Sequence, residues 1–148
     1  MSKELNIDPA KVGIMGFSAG GHLAAYTSNF APIDERPDFA ILFYPVITGD
    51  PATGHRPSLD NLLGHTATDY DRAMYSLDTR VTKNTPPTLL LLSDHDVVVP
   101  PAGSALYYAA LKKHGIEAAM RIYPGGFHGW SIHLDFPYLE DWQGAVMD

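Results

Sequence analysis

Cysteine is absent from the 148 residues, which excludes disulfides, thiolate zinc sites, iron–sulfur clusters and a cysteine nucleophile together. Positive charge is scarce: ten Lys and Arg stand against seventeen Asp and Glu, a formal charge of −7. Nucleic acids and anionic membrane surfaces recruit proteins through clustered cations, and no basic run is present, so neither partner is expected. Nor does any stretch approach the roughly 20 consecutive apolar residues of a membrane span or the layout of a signal peptide, and the sequence reads as cytoplasmic. The seven histidines lack metal-ligand spacing of the H-E-x-x-H kind, so no metal is assigned. With no repeat, low-complexity tract or linker, residues 1–148 read as one domain whose 45% hydrophobic content can build a core.

What is present is a set of short apolar runs. VGIMGF (12–17), FAILFYP (39–45), TLLLLS (88–93) and AAMRIYP (118–124) are continuous rather than alternating, as strands covered on both faces of a parallel sheet must be. The fourth is the least apolar and is placed nearest an edge. Helical patterns separate them: Ala19 to Ser28, Pro101 to His114 with Pro suited to a first turn and Gly115 to a stop, and a third from Tyr138 to Met147. KELNIDPAK (3–11), with a charged surface and an Asp-Pro turn signal, reads as the tail of a helix leading into the first strand. Between the second and third runs, residues 46–78 form an insertion or cap-like segment with helix candidates SLDNLLG and DYDRAMYSLD. The fold class is therefore α/β, a mostly parallel sheet of about four strands flanked by helices.

Where the first strand should end stands Gly16-Phe17-Ser18-Ala19-Gly20, followed by Gly21. It matches G-x-S-x-G, a strand-to-helix turn so tight that bulky neighbours are expected to clash at the elbow glycines Gly16 and Gly20. The turn lifts a serine hydroxyl to the N-terminus of a helix, where free backbone N–H groups gather, and the Ala19 N–H can donate to an oxyanion. A serine nucleophile requires a histidine base oriented by a carboxylate. Asp94 and Asp96 both follow the third strand in S-D-H-D-V-V-V-P, at the sheet edge where open α/β folds place their sites; Asp96 is the reading taken, with Asp94 as the alternative acid. His128 lies in Y-P-G-G-F-H-G-W after the fourth strand, in a glycine-rich loop that can carry the imidazole back over the elbow. His22, one turn into the helix after the elbow, is expected to pack near the site rather than react, and His55, His65, His95, His114 and His133 are read as ordinary surface or core residues. Tyr44, Tyr70, Tyr75, Phe127 and Trp130 are candidates to line an apolar pocket, against the ordinary role of aromatics as core.

These residues resemble the C-terminal half of a serine esterase or lipase of the α/β-hydrolase superfamily, in the group with acetyl-xylan-esterase-like and hormone-sensitive-lipase-like members. GFSAGGHLAA, the FYP strand end, TPPTLLLLSDHDVVVPPAGSALYYAALKKHG and YPGGFHGW occur in that group's order. The resemblance implies Ser18 as nucleophile, Asp96 as acid and His128 as general base, with no cofactor and a small-molecule ester as substrate. It also implies earlier strands and a His-Gly-Gly-type loop carrying further oxyanion donors, neither of which this sequence contains. The expectation is accordingly a truncated α/β-hydrolase fold, completed by a missing N-terminal half or by association with another copy. With one oxyanion donor identified and each worth about 2.7–4 kcal/mol, slow turnover is expected of the isolated chain.

Three functions follow. Hydrolysis of small acyl esters, such as acetylated carbohydrate, leads. A prolyl-oligopeptidase-type peptidase would use the same three positions, and a non-catalytic module assembling with a partner would use none.

Overall fold

The computed structural model describes residues 7–147. Four strands, β1 (Ile14–Phe17), β2 (Ala40–Phe43), β3 (Thr88–Ser93) and β4 (Ala118–Tyr123), form one sheet in the order β1-β2-β3-β4. Every neighbouring pair is parallel, with Phe17 beside Phe43, Phe43 beside Leu91 and Ser93 beside Tyr123. Five helices accompany them: α1 (Ala19–Phe30), α2 (Arg56–Leu63), α3 (Asp69–Met74), α4 (Pro101–Lys113) and α5 (Leu139–Met147). The four expected strands and the helices expected after β1, β3 and β4 are thus present, with ends displaced by a residue or two. Because all four strands run the same way, the loops after Phe17, Phe43, Ser93 and Tyr123 emerge along one edge.

Parallel strands need both faces covered, and the two faces are covered differently. On one side Leu42 and Leu90, both fully buried, pack with Ala24 and Ala25 of α1 and with Tyr107 and Leu111 of α4. On the other, Ile41, Phe43 and Leu91 meet an aromatic layer of Tyr44, Tyr123, Trp130 and Phe136, with Trp142 of α5 against it. Each fully buried side chain of this size contributes about 1.5–3 kcal/mol relative to exposure. β2 is buried at every position, as a central strand should be. β4 is an edge strand, as its lower apolar content implies. At the opposite edge, Met15 and Phe17 of β1 remain roughly half exposed, together with Val12 and Leu23.

Two expectations are corrected. The helix tail over residues 3–11 falls partly outside the described residues, and the described residues 7–11 are not helical but form the turn that Asp8-Pro9 signals, in which the Asp8 carboxylate accepts from the Ala10 N–H. DYDRAMYSLD is not one helix: α3 stops at Met74 and a 3-10 turn, Leu77–Thr79, follows. A capping box between Thr68 and Asp71 starts α3, and its tie to α2 is ionic, Arg72 to Asp60 Oδ1 at 2.7 Å. Arg72 also donates to the Ala67 carbonyl, and burial of Leu59 and Leu77 holds this segment onto the sheet.

Candidate active site

Ser18 sits between β1 and α1 with φ 53° and ψ −121°, a conformation few non-glycine residues adopt and one that costs on the order of 1–3 kcal/mol. Three backbone bonds hold it there. Its N–H donates to the Phe43 carbonyl (3.0 Å), and its own carbonyl accepts from His22 (3.2 Å) and Val46 (3.1 Å). The turn is tight at one of its two motif glycines only. A Cβ on Gly16 would lie 2.3 Å from the Gly20 carbonyl oxygen and 2.8 Å from the Ala24 methyl, so α1 can pack this close only against glycine. Gly20 differs from the expectation: its Cβ would meet nothing within 4 Å, because the position faces outward from the first turn of α1. The crowded partner of Gly16 is instead Gly21, against Pro45.

The serine hydroxyl lies 2.7 Å from His128 Nε2, and His128 Nδ1 lies 2.7 Å from Asp96 Oδ2. A carboxylate only accepts, so Nδ1 carries the proton and donates to Asp96, leaving Nε2 bare to accept the Ser18 O–H. The two side chains beside the serine differ in access: His128 is 18% exposed and Asp96 1%. The other carboxylate oxygen of Asp96, Oδ1, accepts from the N–H groups of Val98 (2.9 Å) and Val99 (2.8 Å), which fixes its orientation. Ser18, His128 and Asp96 are thus brought together by the loops after β1, β4 and β3, at separations of 110 and 32 residues along the chain.

Asp94 does not face the imidazole. Its Oδ1 accepts from the Gly125 N–H at 2.7 Å, while its own N–H donates to Tyr123. With Ser93 Oγ donating to the Gly125 carbonyl, it fastens the end of β3 to the loop that carries His128. That loop reverses through Gly125 (φ 75°) and Gly126 (φ 85°), a path closed to most side chains.

Tyr44, a pocket candidate with core as the ordinary alternative, is 4% exposed and packs edge-on against the His128 ring with centroids 4.9 Å apart. Its hydroxyl is hydrogen-bonded to Ser131, and burial raises its pKa above the ordinary phenol value. Tyr44 adopts φ 36° directly after β2. It therefore packs as a brace against the His128 ring, a position the sequence signals only by placing a tyrosine at a strand end. Trp130 is fully buried core, and Tyr70 and Phe127 lie at the surface. Among the five aromatic candidates, Tyr75 does line a cavity, of about 410 Å³, with Ala19, His22, Tyr26, Val46 and Leu59.

The Ala19 N–H is the first of α1 and has no partner within the helix, which leaves it available beside the hydroxyl. No cluster of three or more His, Asp or Glu suited to a metal ion occurs among the described residues, and no helix there is long and apolar enough to cross a membrane.

Residues 1–135 match the prolyl oligopeptidase family. The chain is 40% identical over 141 residues to an acetylxylan esterase of Xylanibacter ruminicola, covering 93% of this chain and 29% of that protein. It is 37% identical over 155 residues to endo-1,4-beta-xylanase B of Butyrivibrio fibrisolvens, covering 97% and 24% respectively. Among solved structures, the acetyl ester-xyloside bifunctional hydrolase of Caldicellulosiruptor lactoaceticus superposes with a TM-score of 0.88 at 36% identity, over 98% of this chain and 57% of that one. The chain therefore spans less than a third of the curated relatives it matches. Strand order, all-parallel pairing, flanking helices and the match over residues 1–135 together make this chain a member of the prolyl oligopeptidase family, with an α/β-hydrolase fold.

Proposed function

We propose that the chain is the catalytic region of a serine ester hydrolase, working through an acyl-enzyme on small acyl esters of carbohydrates. The observation that carries this reading is the unbroken hydrogen-bonded series Ser18 Oγ, His128 Nε2, His128 Nδ1, Asp96 Oδ2, with both links at 2.7 Å. His128 takes the Ser18 proton as Oγ attacks the ester carbonyl carbon, and Asp96 stabilises the imidazolium without taking its proton. The carbonyl oxygen becomes an oxyanion, to which the Ala19 N–H donates. Collapse breaks the bond to the alcohol oxygen, which leaves with the proton from His128. Water then repeats the sequence on the acyl-serine, releasing the carboxylic acid and restoring Ser18.

The carbohydrate assignment draws on relatives named as an acetylxylan esterase and an acetyl ester-xyloside hydrolase. A peptidase reading has one point in its favour, the description of the matched family. The two readings differ in the bond broken, so the test compares p-nitrophenyl acetate with a chromogenic prolyl-peptide amide. The ester-hydrolase reading expects the acetate to be cleaved with the higher kcat/KM; faster amide cleavage would replace it with the peptidase reading.

A further inference from the structure

The cavity beside Ala19 includes in its wall a histidine that the proposed reaction does not use. Its walls are mainly apolar and aromatic: Leu23 and Tyr26 of α1, Leu59 and Leu62 of α2, and Val46 and Tyr75. It reaches Ala19, the residue next to Ser18, and at about 410 Å³ it falls in the range of about 300–1,000 Å³ typical of small-molecule sites. His22 lies in this wall and is 6% exposed. Its Nε2 is 3.0 Å from the Tyr75 carbonyl oxygen; a carbonyl only accepts, so Nε2 is the protonated nitrogen. Among the described residues Nδ1 has no hydrogen-bond partner. Burial holds the His22 pKa below the ordinary imidazole value, partly offset by the bond to Tyr75, so the ring stays neutral and Nδ1 keeps its lone pair.

A neutral acceptor in an aromatic-walled cavity selects a particular chemistry. A carboxylate or phosphate finds no cation among the lining residues, and an alkyl chain would leave Nδ1 unsatisfied, which is unfavourable for a buried polar atom. A hydroxylated ring satisfies both halves: a hydroxyl donates to Nδ1, and the ring's C–H groups pack on the wall formed by Leu23, Leu59, Leu62, Tyr26 and Tyr75. We propose that this cavity is the alcohol subsite and that His22 Nδ1 reads a hydroxyl of the sugar ring bearing the scissile ester. This rests on the ester-hydrolase reading above and adds to it which side chain recognises the alcohol.

The variant that separates recognition from support is His22→Gln. Glutamine carries an amide nitrogen the same number of bonds from the backbone as His Nε2, so it retains the donor to Tyr75 while removing the acceptor at the Nδ1 position. With acetylated xylobiose as substrate, KM for His22→Gln is expected to rise about tenfold, the worth of a single hydrogen bond, and the loss on p-nitrophenyl acetate, whose leaving group carries no ring hydroxyl to donate, is expected to be smaller. Equal losses on both substrates, or no loss on either, would overturn the proposal. A second measurement does not depend on turnover. In Ser18→Ala protein labelled with nitrogen-15 histidine, xylobiose is expected to move the His22 Nδ1 resonance away from its unbonded position and leave Nε2 in place. A Nδ1 signal unmoved at saturating xylobiose, or no saturable binding, would overturn the subsite, whereas a shift in Ser18→Ala together with no esterase activity in the parent chain would overturn the ester-hydrolase reading alone.

Discussion

His128 and His22 both reach the elbow, yet they are wired in opposite ways. His128 stands partly open, with a carboxylate on Nδ1 and a hydroxyl on Nε2. His22 is more deeply buried, with a backbone carbonyl on Nε2 and no partner on Nδ1 among the described residues. The first arrangement can take a proton and return it, since Asp96 compensates the charge that forms. The second has no carboxylate to do so and is poised to accept a hydrogen bond while remaining neutral. The two rings therefore differ in the partners on both nitrogens: His128 joins a hydroxyl to a carboxylate, whereas His22 is held by a backbone carbonyl.

The strongest way to break this contrast is to exchange the losses. His128→Ala is expected to lower kcat on p-nitrophenyl acetate by about 10⁴- to 10⁶-fold, whereas the loss for His22→Gln is expected to be far smaller. Comparable losses in steady-state kinetics would erase the distinction. Next in size is Asp96→Asn, which keeps the geometry but favours the wrong imidazole tautomer, with an expected drop of about 10⁴-fold in kcat. Asp94→Asn keeps an acceptor for the Gly125 N–H and should leave most of the rate, so similar losses at the two positions would contradict the assignment of the acid.

The platform shared by both histidines is sharpened by a smaller pair. Gly16→Ala forces a methyl into the Gly20 carbonyl and Ala24, and denaturant unfolding should register a loss of about 1–3 kcal/mol. Gly20→Ala meets open space within a helical turn and is expected to be neutral or stabilising by up to about 1 kcal/mol.

The smallest effect concerns pH. The His22 pKa is lower in the fold than in the unfolded chain, so below the ordinary histidine value of about 6.5 the unfolded state binds the extra proton. The stability linked to His22 is fully present above that value and declines as pH falls towards the folded-state pKa. Thermal unfolding between pH 7 and 5 should show this decline in the parent chain and less of it in His22→Gln. An identical pH dependence in the two proteins would remove burial as the feature that keeps His22 neutral.

Much of this arrangement is legible along the chain, and the rest fails for physical reasons. Continuous apolar runs declare buried parallel strands because no alternation is needed when helices cover both faces. Gly16-Phe17-Ser18-Ala19-Gly20 carries local geometry in its own residues, so the strained serine is readable. Asp96 and His128 are readable because the edge that receives them follows from strand direction. The motif does not reveal which of its glycines is crowded, since that depends on where α1 and Pro45 settle. Nor could it separate Tyr44, which packs against the His128 ring, from Tyr75, which lines the cavity, because each position depends on contacts with residues more than fifty positions away. The 46–78 segment showed its helices but not the Arg72–Asp60 tie that orients them.

The most direct measurement is covalent labelling of the folded full chain with a fluorophosphonate, read by peptide mass spectrometry and repeated in His128→Ala. The account expects a single adduct on Ser18 that forms readily in the parent chain and orders of magnitude more slowly without His128. Folded protein that leaves Ser18 unmodified, or labels it equally fast in both chains, would contradict the claim that His128 and Asp96 activate this serine.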